Sequence, residues 1–533
     1  MEASPALSVT IADNALRCRV DDVVAMLVRH RAASRLAAAD ASLWGEAAMA
    51  EARQRLGWLR LPATSRPLLA EIDRLREGLA TDGIEHIILA GMGGSSLAPE
   101  VICAQAGVPL SVLDTTDPQQ TRRVLEGDLA RSLLIVASKS GGTVETDSQR
   151  RIFTEAFAAA GCDPAAHLLA ITDPGSPLAT LAEEQSWRAV ILADPQVGGR
   201  FAALSAFGLV PAGLAGVAPG RLLDEAAAVT DLLARDAEDN PAIRLAAAMA
   251  ASHAAGREKL VLAESPALAG FGAWAEQLIA ERSGKRGRGM RPLTGEGGDC
   301  AELGRGAAAL HLSRGPLEGG AVRVDGALGA QFLLWECAVA LLGHCLDLNP
   351  FDQPDVEAAK QAARACLEPA DSVPARPAAI FGPVEVYATL PEADMASLSA
   401  VLHGFCRQVP AEGYLAIQAF LDREAEAQAP QLRRALARLS QRPTSFGWGP
   451  RFLHSTGQYH KGGHPNGAFV QITGAGVRDL AVPGRTYQLG ELQRAQAAGD
   501  AAVLRQRGRP VLHLHLRERG AGLADLLAAA TAA

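Results

Sequence analysis

Over residues 1–80, Ala, Leu and Arg recur with apolar positions three and four apart. That period predicts a helical lead-in, with DASLW at 40–44 as a loop entering another helix. From residue 84 the period changes. IEHIILAGMGGSSLAPEVICAQ reads as an apolar strand, a glycine-rich turn and a helix, and SVLDTT from 111 as the next strand. A polar helix over 118–129 follows, then a strand at 133–137 (LLIVA), a helix at 144–160, a strand at HLLAITD from 167, a helix near Leu178 and a strand at AVILAD from 189. Five strands alternating with helices predict a mostly parallel sheet covered on both faces.

A second α/β block spans about residues 240–368: a helix at 242–255, the strand KLVLAES, the helix WAEQLIAERSGKRGRG, the strand ALHLSRG and a long apolar helix at 327–346. The proline-rich stretch 368–383 reads as a linker. Beyond it the pattern predicts helices at 391–407 and 412–439, short strands such as PVLHLHL at 510–516, and a terminal Ala/Leu helix. The expected organisation is a helical segment 1–80, an α/β domain 81–235, a second α/β domain 236–368 and a C-terminal α+β region 383–533.

At 533 residues the chain exceeds what one core usually supports. A net charge of −8 and pI of about 5.9 argue against nucleic-acid and membrane-surface partners. No uncharged apolar run of ~20 residues stands out, and MEASPALSVT lacks the basic-then-apolar order of a signal peptide, so a cytoplasmic location is expected. The eight cysteines show no C-x-x-C or zinc-like spacing and read as reduced apolar fillers.

Two loops carry the candidate chemistry. Ser138-Lys139-Ser140-Gly141-Gly142-Thr143 follows the strand 133–137 and opens a helix. Unencumbered backbone N–H groups, three hydroxyls and a cation at a helix N-terminus make a phosphate cradle, although the same residues also serve as a strand-to-helix turn and cap. Gly91-Met-Gly-Gly-Ser-Ser96 nearly matches G-x-G-x-x-G, with Asp114 where a ribose-binding acid would stand. A dinucleotide would leave the second loop without a task, whereas a phosphate monoester of a short polyol uses both.

In GGRFAALSAFGLVPAGLAG, residues 198–216, Arg200 stands behind two glycines at the start of a strongly apolar helix, where an arginine opposes the helix dipole and needs an anionic partner or an excursion into solvent. Gln277 and Glu281, at i and i+4, share one helix face, a position that is ordinarily solvated surface. His454, His460, His464 and Lys461 fall within eleven residues, which suits a substrate-facing loop better than a metal site, because no carboxylate or cysteine lies near in sequence. GRGMRPLTGEGGDC, residues 287–300, is a cover over the substrate or an ordinary exposed loop.

Five separated segments together resemble the glucose-6-phosphate isomerase family, in particular the isomerase half of proteins that also carry a transaldolase. They are GMGGSSLAPE, SKSGGTVET, VGGRF, QLIAERSGK and NPFDQPDVEAAK, the last being the most specific. A transaldolase half is not expected, since it would need a further domain ahead of residue 1. The resemblance implies two doubly wound parallel-sheet domains of the sugar-isomerase type and a phosphate site from Gly94, Ser95, Ser138, Lys139, Ser140 and Thr143. It makes Glu281 the base, Arg200 the stabiliser of the intermediate, and Gln277, Gln353 and Lys360 substrate contacts, with Lys360 sharing in catalysis. HSTGQ makes His454 the counterpart of the ring-opening histidine, with His460 in reserve. No cofactor or metal is implied, the partner is a sugar phosphate, and the assembly expected by resemblance is a homodimer.

The chemistry agrees. Aldose–ketose interconversion needs a proton shuttle to open the ring, one base to move a proton between C2 and C1 through a cis-enediol, and a cation near the developing charge. A glutamate half-buried among apolar residues would suit the base. A non-catalytic sugar-phosphate sensor would need the loops but not Glu281. An NAD-linked dehydrogenase would rest on the first loop and Asp114 alone.

Overall fold

In a computed structural model that describes residues 7–264, 268–294, 307–312, 322–354, 361, 376–476 and 478–532, the chain enters through a strand. β1 (Ser8–Ile11) pairs antiparallel with residues 322–325, so the expected helical lead-in opens with the edge strand of a sheet completed far downstream. Helices then follow at Asn14–Arg29, Glu46–Arg53 and Pro67–Thr81. Asp40 accepts from the Ser42 amide and starts the short turn Ala41–Trp44.

The alternation expected over residues 84–192 is present. β2 (His86–Gly91), β3 (Ser111–Leu113), β4 (Ser132–Ala137), β5 (Leu168–Thr172) and β6 (Ala189–Leu192) form a parallel sheet in the order β3-β2-β4-β5-β6. β4 is buried at every position, which is why its sequence is an apolar run without alternation. The order reverses between β2 and β4, and at such a switch point ligands sit beyond the carboxyl ends of the strands.

A second sheet, in the order β1-β10-β9-β7-β8, is made with β7 (Lys259–Glu264), β8 (Arg291–Thr294), β9 (Ala307–Leu312) and β10 (Val322–Asp325). Residues 287–300 therefore differ from the expected cover or exposed loop. Residues 291–294 are β8, parallel to β7, and the Arg291 side chain that made the stretch look solvated is buried against Glu276. Residues 295–300 lie outside the described residues.

Both sheets share one core, from Val9 to Phe351, and belong to one unit of residues 1–114, 125–298 and 308–352. The two α/β blocks expected as separate domains are thus joined. The helix Leu328–Cys345 would pass for a membrane span by length and composition, yet 89% of it is buried in that core. It is apolar all round because it packs on all sides.

The second unit comprises residues 115–124, 299–307 and 353–533. Its sheet contains β11 (Ala379–Phe381), β12 (Val384–Tyr387), β13 (Tyr414–Phe420), β14 (Thr444–Trp448), β15 (Gly467–Gly474) and β16 (Val511–Leu516), in the order β11-β12-β16-β15-β13-β14. β13 to β16 pair in parallel, and β11 and β12 add an antiparallel edge. Two expectations are corrected here. The stretch read as a linker contains β11, and the region 412–439 read as helix opens with β13. YLAIQAF is buried at all seven positions, so no alternation survives in it to mark a strand.

Candidate active site

Gly91 and Ala137 are register partners on β2 and β4, so the two candidate phosphate loops leave the sheet side by side, roughly 4.8 Å apart at their roots. In the first loop, a Cβ on Gly94 would collide with the Gly199 carbonyl oxygen. Only glycine lets the loop backbone lie against Gly199, and this contact seats the first loop on the turn that carries Arg200. Ser95 is half-buried beside it. The Ser96 hydroxyl donates to the Gly93 carbonyl at 3.2 Å and lies 3.4 Å from Asp114 Oδ2. Asp114, weighed as a ribose-binding acid, is instead buried against the loop's own serine.

In the second loop the Ser138 and Thr143 hydroxyls are 2.9 Å apart. Thr143 occupies the N-cap of the helix Val144–Ala159, but its hydroxyl does not cap that helix. The hydroxyl is turned into the loop, toward Ser138. The Ser140 hydroxyl accepts from the Gly142 amide at 3.3 Å. Lys139 departs from expectation: its ammonium pairs with Asp173 at 2.7 Å, so its charge is engaged within the protein.

Glu281 and Gln277 lie one turn apart on the helix Phe271–Ser283, 0% and 1% exposed. The half-buried carboxylate expected among apolar residues is in fact wholly buried and ion-paired. Arg200 Nε and Nη2 bind Glu281 Oε2 and Oε1, the latter at 2.7 Å. This is the bidentate fork that a guanidinium makes with an ionised carboxylate. Arg200 itself sits in the turn Gly199–Phe201, and the apolar helix Ala206–Ala215 begins later under a Ser205 cap. Its anionic partner is thus Glu281.

Two residues beside Glu281 were missed from the sequence. Arg282 and Lys285 are buried and bind backbone carbonyls of residues 349–352. The available signal was Lys285, a second polar residue at i+4 from Glu281.

In the second unit, His454 ends the turn Arg451–His454 and is partly exposed. His460 is buried, its ring nitrogens 3.0 Å from Tyr414 Oη and 2.9 Å from Thr456 Oγ1. Lys461 forms a buried ion pair with Asp500 at 2.5 Å. Of the histidine cluster, His460 is therefore built into its unit's core. Gln353 also belongs to this unit, and Lys360 lies outside the described residues.

A family model described as phosphoglucose isomerase matches residues 63–290. The chain is similar to a glucose-6-phosphate isomerase of Cyanothece sp., 31% identical over 367 residues that cover 56% of this chain and 68% of that protein. One of Citrifermentans bemidjiense is 30% identical over 356 residues, 54% of this chain and 67% of that protein. Among solved structures, a hypothetical protein of Thermus thermophilus matches with a TM-score of 0.58 and 25% identity, covering 68% of this chain and all of that one. A glucose-6-phosphate isomerase of Chlamydia trachomatis shares the fold, with a TM-score of 0.53 at 19% identity over 67% of this chain and 87% of that one.

Proposed function

The chain belongs to the glucose-6-phosphate isomerase family, and from that membership we propose how its residues interconvert glucose 6-phosphate and fructose 6-phosphate. The observation that carries the assignment is the buried fork between Arg200 and Glu281. A sugar-phosphate sensor needs loops for the ester but gains nothing from a buried carboxylate held by an arginine.

Glu281 takes the proton from C2 of the open-chain aldose and returns it to C1, which yields the ketose through a cis-enediol. Charge develops on the two enediol oxygens as the proton leaves. A guanidinium is a fixed cation, and that of Arg200 lies directly against the base. Arg200 is therefore the group to stabilise that charge, an effect worth about 3 kcal/mol by analogy with a single oxyanion-hole donor. Ser95, Ser138, Ser140 and Thr143, with the backbone at Gly94, hold the phosphate. The remote ester thereby fixes C1 and C2 against the base. Lys139, already paired with Asp173, contributes through the geometry of its loop. Gln277 and Gln353 contact the sugar. His454 and Lys360 open the ring, an assignment supported by the HSTGQ motif and by the burial of His460. A homodimer in the cytoplasm is the expected form.

The reaction is tested by proton exchange at C2 in heavy water. The protein should wash deuterium into glucose 6-phosphate and fructose 6-phosphate, at C2 and C1 respectively, at a rate comparable to isomerisation. An absence of both exchange and product would overturn the assignment.

A further inference from the structure

We propose that Lys285 and Arg282 are positioning residues for this reaction, two buried cations that fix the turn 349–352 and through it the chain entering Gln353. The proposal rests on the isomerase assignment above.

Four consecutive carbonyls carry the argument. Lys285 Nζ donates to Asn349 O at 2.5 Å and to Asp352 O at 2.6 Å, and Arg282 Nη1 donates to Pro350 O at 3.3 Å and to Phe351 O at 2.8 Å. Every backbone oxygen from 349 to 352 thus accepts from one of the two side chains. Lys285 gives its third donor to Asp352 Oδ1 at 2.6 Å, so an ammonium with three protons meets three acceptors. The Arg282 guanidinium also lies 5.5 Å from the centroid of the Phe201 ring, and that ring packs against Phe351.

The cost of this arrangement argues for a purpose. Arg282 is 4% and Lys285 2% exposed, and burying a cation is unfavourable unless its donors are met. Burial pushes the Lys285 ammonium down to about 8 against the pull of Asp352. A turn that needed only to pack could be held by apolar side chains. Three residues joined by these contacts are chain neighbours of residues with a proposed role: Arg282 follows Glu281, Phe201 follows Arg200, and Asp352 precedes Gln353. Two cations therefore set the spacing of three segments.

The test is steady-state kinetics with fructose 6-phosphate on the full chain and two variants, each with its melting temperature. Lys285→Met keeps the stem and removes the ammonium. It should raise KM about tenfold, the scale of one charge-assisted hydrogen bond, with kcat within about threefold. Asp352→Asn, at a side chain 41% exposed and thus tolerant, should move KM in the same direction by less. The double variant should be no worse than Lys285→Met alone. A merely structural role would lower the melting temperature and the active fraction and leave KM alone. An unchanged KM in folded Lys285→Met overturns the clamp, and if that variant does not fold, an unchanged KM in Asp352→Asn does so. Absence of turnover in the unmodified chain would instead overturn the isomerase assignment, so the two failures are distinct.

Discussion

Arg200 and Glu281 stand 81 positions apart in the chain and meet through two parallel N–H···O bonds, with the carboxylate wholly buried. Replacing Glu281 by Gln keeps shape and volume but removes both the charge and the basic oxygen. We expect kcat to fall by about 10³-fold or more, with sugar-phosphate affinity changed only severalfold. The same variant removes the charged partner of a guanidinium whose side chain is 13% exposed, so the melting temperature should fall as well. Turnover near the unmodified rate in a folded Glu281→Gln would remove Glu281 from the role of base.

The second loop gives a different signature. Ser138 and Thr143 turn their hydroxyls toward each other rather than into the helix cap. If that pair holds the ester, Ser138→Ala with Thr143→Ala should raise KM by about tenfold or more. Inhibition by inorganic phosphate should weaken in parallel, with little change in the rate at saturation. A normal KM with unaltered phosphate inhibition would place the ester elsewhere.

How far the sequence reaches is visible residue by residue. β4 and its loop were legible because a parallel strand buried on both faces leaves an uninterrupted apolar run, and the glycines and hydroxyls after it break that run sharply. The pairing of Arg200 with Glu281 was not legible. Neither residue's neighbours reveal a partner so distant in sequence, and the apolar run after Arg200 reads as a helix from that residue onward, whereas the helix begins at Ala206. β1 was lost for the same reason, since among the described residues it pairs with β10, more than 300 positions downstream. β13 was lost because burial of both faces erased its alternation inside a stretch otherwise rich in helix formers. Lys285 escaped notice because a lysine next to glycine and arginine reads as solvent-facing until its three acceptors are seen.

The two histidines separate cleanly in prediction. Both ring nitrogens of His460 are engaged inside the second unit, by Tyr414 and Thr456. His460→Ala should therefore cost stability, visible as a lower melting temperature of several degrees, with activity lost only in proportion to unfolded protein. His454→Ala should leave melting nearly unchanged. It should slow turnover of the cyclic sugar by about 10²-fold while sparing exchange on the small fraction of open-chain substrate. The opposite pattern would transfer ring opening to His460.

A last prediction concerns Glu336, on the core helix Leu328–Cys345 and wholly buried. Burial holds its carboxyl well above the ordinary carboxylate value; the backbone amide of Ala203, three residues after Arg200, pulls the other way, but neither carboxyl oxygen forms a hydrogen bond among the described residues. Above the unfolded value of about 4.5 the folded chain keeps a proton that the unfolded chain gives up, so the folded state binds more protons there. The contribution of Glu336 to stability is therefore complete at low pH and is lost as pH rises, by up to about 1.4 kcal/mol per pH unit for one proton. Glu336→Gln supplies a neutral group of the same shape and removes that slope. Melting of the variant and the unmodified chain should coincide near pH 5, and the variant should melt higher at pH 8. Parallel melting curves across that range would mean that Glu336 is already ionised in the folded protein, with a partner other than the Ala203 amide to hold its charge.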